Sequence, residues 1–323
     1  MNYHPLAAAL PFLLLGSVLQ AQTSSEQPIR LETPSGVIHG TLLLPGTRTP
    51  APVALLIAGS GPTNRDGNIG GMPGGNNSLK LLAEGLAKQG IASVRYDKRG
   101  IGESAAAAPG EADLRFENYV DDAASWIRQL RQDQRFSTVT VVGHSEGSLI
   151  GMLAARQAGA HAFVSVAGIA RPASLILRDQ LRPRLPPDLW KESERILASL
   201  EAGRTADSVP PMLFALYRPS VQPYLISWIR YNPAEEIAKL SVPVLIVQGT
   251  TDIQVTTGEA QALKQARPSA ELLIVEGMNH VLKAVEADQG KQMASYTDPA
   301  LPVASELVGR VSTFIRAVKP GRG

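Results

Sequence analysis

The sequence predicts an α/β protein: a mostly parallel sheet of about eight strands, flanked by helices and interrupted by one helical insertion. Three observations carry that expectation. Short apolar runs alternate with helical periodicity along most of the chain. The segment 171–240 breaks the alternation with helical spacing and repeated prolines. The stretch 138–151, "TVTVVGHSEGSLIG", passes from a β-branched run through two glycines into helical spacing.

The elements follow in order. "IRLETPSGVIHGTLLLP" (29–45) reads as two strands joined at Pro34-Ser35-Gly36. "APVALLIAG" (51–59) is a continuous apolar run, as a strand buried on both faces requires. "NSLKLLAEGLAKQG" (77–90) has helical spacing and a glycine stop. The strand "IASVRYD" (91–97) and the amphipathic helix "FENYVDDAASWIRQLRQD" (116–133) come next. Then come the strand "STVTVVGH", the helix "SLIGMLAARQAG" and the strand "AFVSVAG". After the insertion, "VPVLIVQG" (242–249) and "AELLIVEG" (270–277) are strands. "TGEAQALKQAR" (257–267) and "ASELVGRVSTFIRAV" (304–318) are helices. The core is therefore expected over 28–170 and 241–318, with 171–240 as a cap. That cap holds Trp190, Trp228, Tyr217, Tyr224 and Tyr231, which suit either a small core of its own or the wall of a pocket.

Composition narrows the function. The 323 residues carry a net charge of +2, with 44% hydrophobic and 19% charged residues. This is the balance of a globular protein, and without a dense basic run nucleic acid is not an expected partner. The chain has no cysteine, which removes disulfides, thiolate metal sites and a cysteine nucleophile. Its five histidines include no i, i+4 pair, so no metal site is expected. The apolar run Leu6–Leu19 followed by Gln20-Ala21-Gln22 suits a signal peptide over residues 1–21, although no Lys or Arg precedes it. Export to the periplasm or medium is the expectation, with no stable membrane span in the mature protein.

The chemistry is expected around Gly143-His144-Ser145-Glu146-Gly147. G-x-S-x-G arises by chance in roughly one chain in five to ten of this length, so its setting decides. Here it joins a buried-type strand to a helix, the strained turn that lifts a serine hydroxyl above a sheet edge. A serine needs a base to remove its proton and an acid to orient that base. After Ser145 the candidates are His161, which precedes a strand, and His280, which follows one in "VEGMNH". Asp252, in "VQGTTDIQV", also follows a strand. Ser145, Asp252 and His280 thus fall at three strand ends on one edge. Asp288 follows His280 and sits at no strand end.

Together "AGSGPTNRDGN" (58–68), "RYDKRGIGES" (95–104), "GHSEGS" (143–148), "GTTDIQV" (249–255) and "GMNH" (277–280) resemble the α/β-hydrolase superfamily over residues 28–318. Within it the chain is similar to bacterial esterases and serine aminopeptidase-like hydrolases with a G-S-G-P loop. The resemblance implies Ser145 as nucleophile, His280 as base then acid, and Asp252 as orienting carboxylate. It implies an oxyanion hole from the N–H groups of Glu146 and Ser60, with Gly61 as the alternative to Ser60. Ala58 stands where many relatives have histidine.

The implied reaction is hydrolysis of a carboxylic ester of a small or medium acyl group through an acyl-enzyme, without metal or organic cofactor. Two alternatives stand beside it. An aminopeptidase-like peptidase would need Glu146, Asp66 or Glu192 to hold a substrate amine. A non-catalytic binding module on the same fold would leave the serine idle. Among the other marked residues, His144 is expected to pack beneath the turn. Asp97, Arg99 and Gly100 are expected to brace their loop, and Arg65 and Asp66 to form a loop ion pair or touch substrate.

Overall fold

A computed structural model describes residue 1, residues 23–46 and residues 50–320. The expected signal peptide therefore lies outside the described residues, apart from Met1. The sheet has eight strands: β1 (Ser25–Thr33), β2 (Gly36–Leu44), β3 (Ala51–Ile57), β4 (Ala92–Tyr96), β5 (Phe136–His144), β6 (Ala162–Val166), β7 (Val244–Gly249) and β8 (Glu271–Val275). Their spatial order is β1-β2-β4-β3-β5-β6-β7-β8. β1 and β2 form an antiparallel hairpin, and β2 meets β4 antiparallel. From β4 to β8 every pairing is parallel.

Period-two alternation divides the side chains of the central strands between two cores. On one face Val53, Leu55, Ile57, Val141 and Phe163 pack with Trp126 and Ile127 of α2 (Phe116–Gln132) and Ile150 of α3 (Glu146–Ala158). On the other, Leu56, Val142, Val164 and Val247 meet Leu82 and Leu86 of α1 (Ser78–Lys88). Leu307, Val311 and Phe314 of α11 (Ser305–Ala317) complete that second core. Helices cover both faces, which explains why β3 is a continuous apolar run and why the central strands β4 to β7 are buried along nearly their whole length.

Between β6 and β7 the chain makes five α-helices, α4 (Ala173–Leu181), α5 (Pro187–Glu201), α6 (Phe214–Tyr217), α7 (Gln222–Ile229) and α8 (Pro233–Ala238), with two single 3-10 turns among them. Proline fixes several of their starts: Pro187 and Pro233 open α5 and α8, and Pro223 lies in the first turn of α7. α9 (Thr257–Ala266) follows β7. The short helix α10 (Gln289–Ser295) had no sequence expectation, and Asp288 caps it by accepting from the Lys291 N–H at 2.9 Å. Among the described residues no helix is long and apolar enough to cross a membrane, and no three metal-ligating side chains cluster.

The order β4-β3-β5 positions the site. After β3 the chain steps outward to β4, then returns past β3 to β5. In open α/β sheets ligands bind at such a reversal, outside the carboxyl ends of the strands. The segments that follow β3, β4, β5, β7 and β8 share that rim.

Candidate active site

Ser145 occupies the turn between β5 and α3 with φ 55° and ψ −122°. Few non-glycine residues adopt such a backbone, and it persists only where the surroundings enforce it. Here they do. The Ser145 N–H donates to the Val166 carbonyl of the neighbouring strand at 2.9 Å, and the Ser145 carbonyl accepts from Ser148 at 2.9 Å. The flanking glycines are steric necessities. A Cβ on Gly143 would lie 2.2 Å from the Gly147 oxygen, and one on Gly147 would lie 2.4 Å from the Ile57 oxygen. α3 can start against β3 and β5 only if both positions lack side chains.

The loops after β7 and β8 are stitched together. A Cβ on Gly249 would stand 1.8 Å from the Met278 oxygen, so glycine alone allows the two backbones to meet. Thr251 donates its N–H to Met278 O at 3.2 Å and its hydroxyl to Gly277 O at 2.9 Å. This seam brings Asp252 and His280 together. Nδ1 of His280 donates to Oδ2 of Asp252 at 2.8 Å, and Gln248 Nε2 donates to the same oxygen at 3.0 Å. Oδ1 accepts from the N–H groups of Gln254 and Val255 at 2.7 and 2.9 Å. The Asp252 side chain is fully buried. Burial pushes its carboxyl up, yet the His280 charge and hydrogen bond, with the two N–H donors, hold it below the usual carboxylate range. An ionised acid on Nδ1 leaves Nε2 of the ring free to act as a base.

His280 is fixed from below by His144. The rings stand 4.9 Å apart, and Nε2–H of His144 donates to the His280 carbonyl at 2.8 Å. Burial, helped by the neighbouring His280, pushes the His144 imidazole down to about 3, so it is a neutral spacer. His144 thereby joins the residue before the serine to the histidine loop. Among the described residues the Ser145 hydroxyl makes no hydrogen bond, His280 included. The serine lines a cavity instead, and such contacts commonly tighten only when substrate is bound.

That cavity holds about 330 Å³. Ser60, Gly61, Ser145 and Glu146 form its polar floor. Ile169, Ala173, Ile176, Leu177, Leu216, Leu225, Trp228 and Val255 form apolar walls, largely from α4, α6 and α7. Among the described residues neither the N–H of Ser60 nor that of Glu146 has an acceptor, and Glu146 is the first residue of α3. A helix N-terminus with free N–H groups suits developing negative charge. The expected aromatic wall divides. Tyr224 and Trp228 line the cavity, whereas Tyr217 is buried in the insertion on Ser193, 2.9 Å away, and Tyr231 donates to Glu117 at 2.7 Å.

The charged residues after β3 and β4 form struts. Arg65 and Asp66 do not pair with each other. Arg65 binds Asp97 at 2.7 Å and also Glu103, while Asp66 binds Arg95 at 2.6 Å. Arg99 grips Asp122 of α2 with Nε and Nη2, at 2.7 and 2.5 Å. His161 accepts the Val139 N–H at 3.0 Å, away from the rim. Sequence reasoning missed Lys98. It is buried between Glu146, 2.8 Å away, and the Gly59 carbonyl, 2.7 Å away. A lysine two residues past a buried strand was the available signal, but a loop lysine ordinarily points to water.

Strand order, strained serine turn and residues gathered above β5, β7 and β8 are those of the α/β-hydrolase fold, and the chain is of that class. Residues 71–200 match the family described as Serine aminopeptidase, S33. The chain is similar to Esterase EstD of Thermotoga maritima, with 29% identity over 248 residues, 76% of this chain. It spans only 58% of that relative's length. Among solved structures it is similar to Est1E from Butyrivibrio proteoclasticus bound to ferulic acid: TM-score 0.60, 17% identity, covering 90% of this chain and 99% of that one. The Pyrococcus furiosus esterase Pf2001 gives a TM-score of 0.55 at 14% identity, over 90% of this chain and 92% of that one.

Proposed function

We propose that the chain is a serine carboxylesterase acting on a small-molecule ester of small or medium acyl length. The observation that carries this reading is the buried Asp252–His280 pair, closed at 2.8 Å on the rim that presents Ser145 to an apolar cavity. In this mechanism His280 Nε2 takes the Ser145 proton as the oxygen attacks the ester carbonyl. The oxyanion forms against the N–H groups of Ser60 and Glu146. His280 then protonates the leaving alkoxide, and an acyl-Ser145 remains. Water, deprotonated by the same imidazole, releases the acid. The insertion over 171–240 acts as the cap that houses the acyl chain.

Esters are favoured over peptides with a free amino terminus because each acidic candidate for an amine site is already engaged. Glu146 is held by Lys98 and Tyr224, Asp66 by Arg95, and Glu192 by Arg195 at 2.9 Å. The esterase names of the similar proteins point the same way. Export is the matching proposal for the protein's location, resting on the leader-like residues 1–21.

The test is a panel of p-nitrophenyl esters of rising acyl length beside aminoacyl naphthylamides. The expected outcome is ester turnover that falls about 10⁶-fold in Ser145→Ala, with a fluorophosphonate labelling the wild-type serine. Naphthylamide cleavage exceeding ester cleavage would move the assignment to a peptidase. Identical rates for wild type and Ser145→Ala would remove the serine mechanism.

A further inference from the structure

The cluster around Lys98 goes beyond the serine, histidine and aspartate. Lys98 lies two residues after β4, and its side chain is 1% exposed. The strand order β4-β3-β5 places the Gly59 loop between Lys98 on one side and Glu146 on the other. The ammonium reaches both. Nζ donates to the Gly59 carbonyl at 2.7 Å and to Glu146 Oε2 at 2.8 Å, and it sits 4.8 Å from the centre of the Tyr119 ring. The Glu146 side chain is 2% exposed, and its second oxygen accepts the Tyr224 hydroxyl at 2.5 Å.

The carbonyl of Gly59 and the N–H of Ser60 belong to one planar peptide unit. Fixing the oxygen of that unit fixes the direction of its N–H. A cation on the oxygen also draws electron density from the amide nitrogen, and hydrogen bonds in such a chain strengthen one another. The carboxylate on the same ammonium belongs to Glu146, whose backbone supplies the other free N–H. One cation therefore ties together the two peptides facing the cavity floor. Stability does not account for it, because a buried ion pair adds little over well-packed apolar side chains.

We propose that Lys98 is a positioning residue for the oxyanion hole: its ammonium orients and polarises the Gly59–Ser60 peptide and holds it in register with the Glu146 N–H. The inference deepens the esterase reading and rests on it. Lys98 touches no reacting atom. Its effect lies in the transition state, where charge gathers on the substrate oxygen, and so in kcat rather than KM.

The test separates positioning from simple support of the fold. Lys98→Met leaves Glu146 buried and unpaired, so a fall in activity there could come from damaged packing. The double variant Lys98→Met/Glu146→Gln removes both charges and is expected to recover most of the loss in thermal midpoint. On a short-chain p-nitrophenyl ester both variants should lose about 10–100-fold in kcat, less than the 10²–10³ of a deleted oxyanion donor. KM should stay within about twofold. Affinity for a trifluoromethyl ketone, which forms a tetrahedral adduct on the serine, should fall in step with kcat. A stable double variant with wild-type kcat, or a loss confined to KM, would overturn the inference while leaving the esterase reading intact. Wild-type protein without Ser145-dependent turnover would overturn both.

Discussion

Ser145 stands between two buried carboxylate–base pairs of equal length and unlike use. On one side Asp252 meets His280 at 2.8 Å, and on the other Glu146 meets Lys98 at 2.8 Å. In the first pair the carboxylate is saturated with four donors, while Nε2 of the imidazole has no partner among the described residues. In the second pair the base is saturated, between a carboxylate, a carbonyl and an aromatic face. A group that must carry a proton keeps one valence open. A group that must hold a backbone in place keeps none. This difference in spare capacity, rather than burial or distance, separates the proposed proton carrier from the proposed strut.

The largest expected effect tests the first pair. Asp252→Asn keeps the shape of the side chain but removes the charge that favours a proton on Nδ1 and stabilises the imidazolium. Ester turnover should fall about 10⁴-fold while KM changes little. Gln248 and the N–H groups of Gln254 and Val255 already donate to this side chain, and they would compete with the new amide's own hydrogens. The substitution should therefore also turn the amide or the ring. If Asp252→Asn retained most of the activity, the open valence of His280 would not be the working one, and the contrast between the pairs would collapse.

The second pair should show itself first in stability. Lys98→Met leaves a carboxylate buried with only the Tyr224 hydroxyl as partner, which costs about 3–5 kcal/mol for a broken buried pair. Urea unfolding of the single variant against the double variant Lys98→Met/Glu146→Gln measures it. The single variant should unfold at markedly lower urea, with most of the loss recovered in the double. Equal stability in wild type and single variant would mean that water reaches Glu146, and the second pair would lose its standing as a buried strut.

The two pairs were unequally legible in the sequence. Asp252 and His280 each follow a strand of recognisable pattern, and the rule that parallel strands end on one edge brings them together without knowledge of strand order. Ser145 could be read for a similar reason, since the glycines at 143 and 147 mark a turn whose geometry is local. Lys98 was hidden because its partners depend on order. Only when β4 and β5 flank β3 does a lysine after β4 lie across the Gly59 loop from Glu146, and nothing in the spacing of residues 59, 98 and 146 encodes that adjacency. The sequence offers Glu146 as a carboxylate that could hold a substrate amine. Its side chain turns to the ammonium and to Tyr224 instead, because a buried charge needs a partner more than an N-terminal helix dipole needs an anion. Arg65 and Asp66 repeat the lesson: neighbours in sequence, they pair with Asp97 and Arg95, which β4 brings beneath their loop.

A second imidazole, invisible at neutral pH, sharpens the contrast. His144 is buried, donates to the His280 carbonyl, and is pushed down to about 3 by burial and by the neighbouring His280. An unfolded histidine binds its proton below about pH 6.5. Between that value and about pH 3 the unfolded chain therefore holds a proton that the folded chain does not, and stability must fall as pH falls, by up to roughly 1.4 kcal/mol per pH unit. Asp252 adds to the acid loss lower down. Its folded carboxyl lies below its ordinary value, so its contribution is intact above about pH 4 and disappears as the pH passes through the folded value. His144→Gln places an amide N–H near the position of Nε2 and removes the titration. Followed by urea unfolding from pH 7 to pH 4, the wild type should lose stability more steeply than the variant, which keeps only the shallower slope of groups such as His161, whose imidazole burial also pushes down. Parallel curves would mean that the His144 ring takes up a proton in the folded state. Nε2–H would still face the His280 carbonyl, but a charged ring against His280 would oppose the imidazolium that turnover requires.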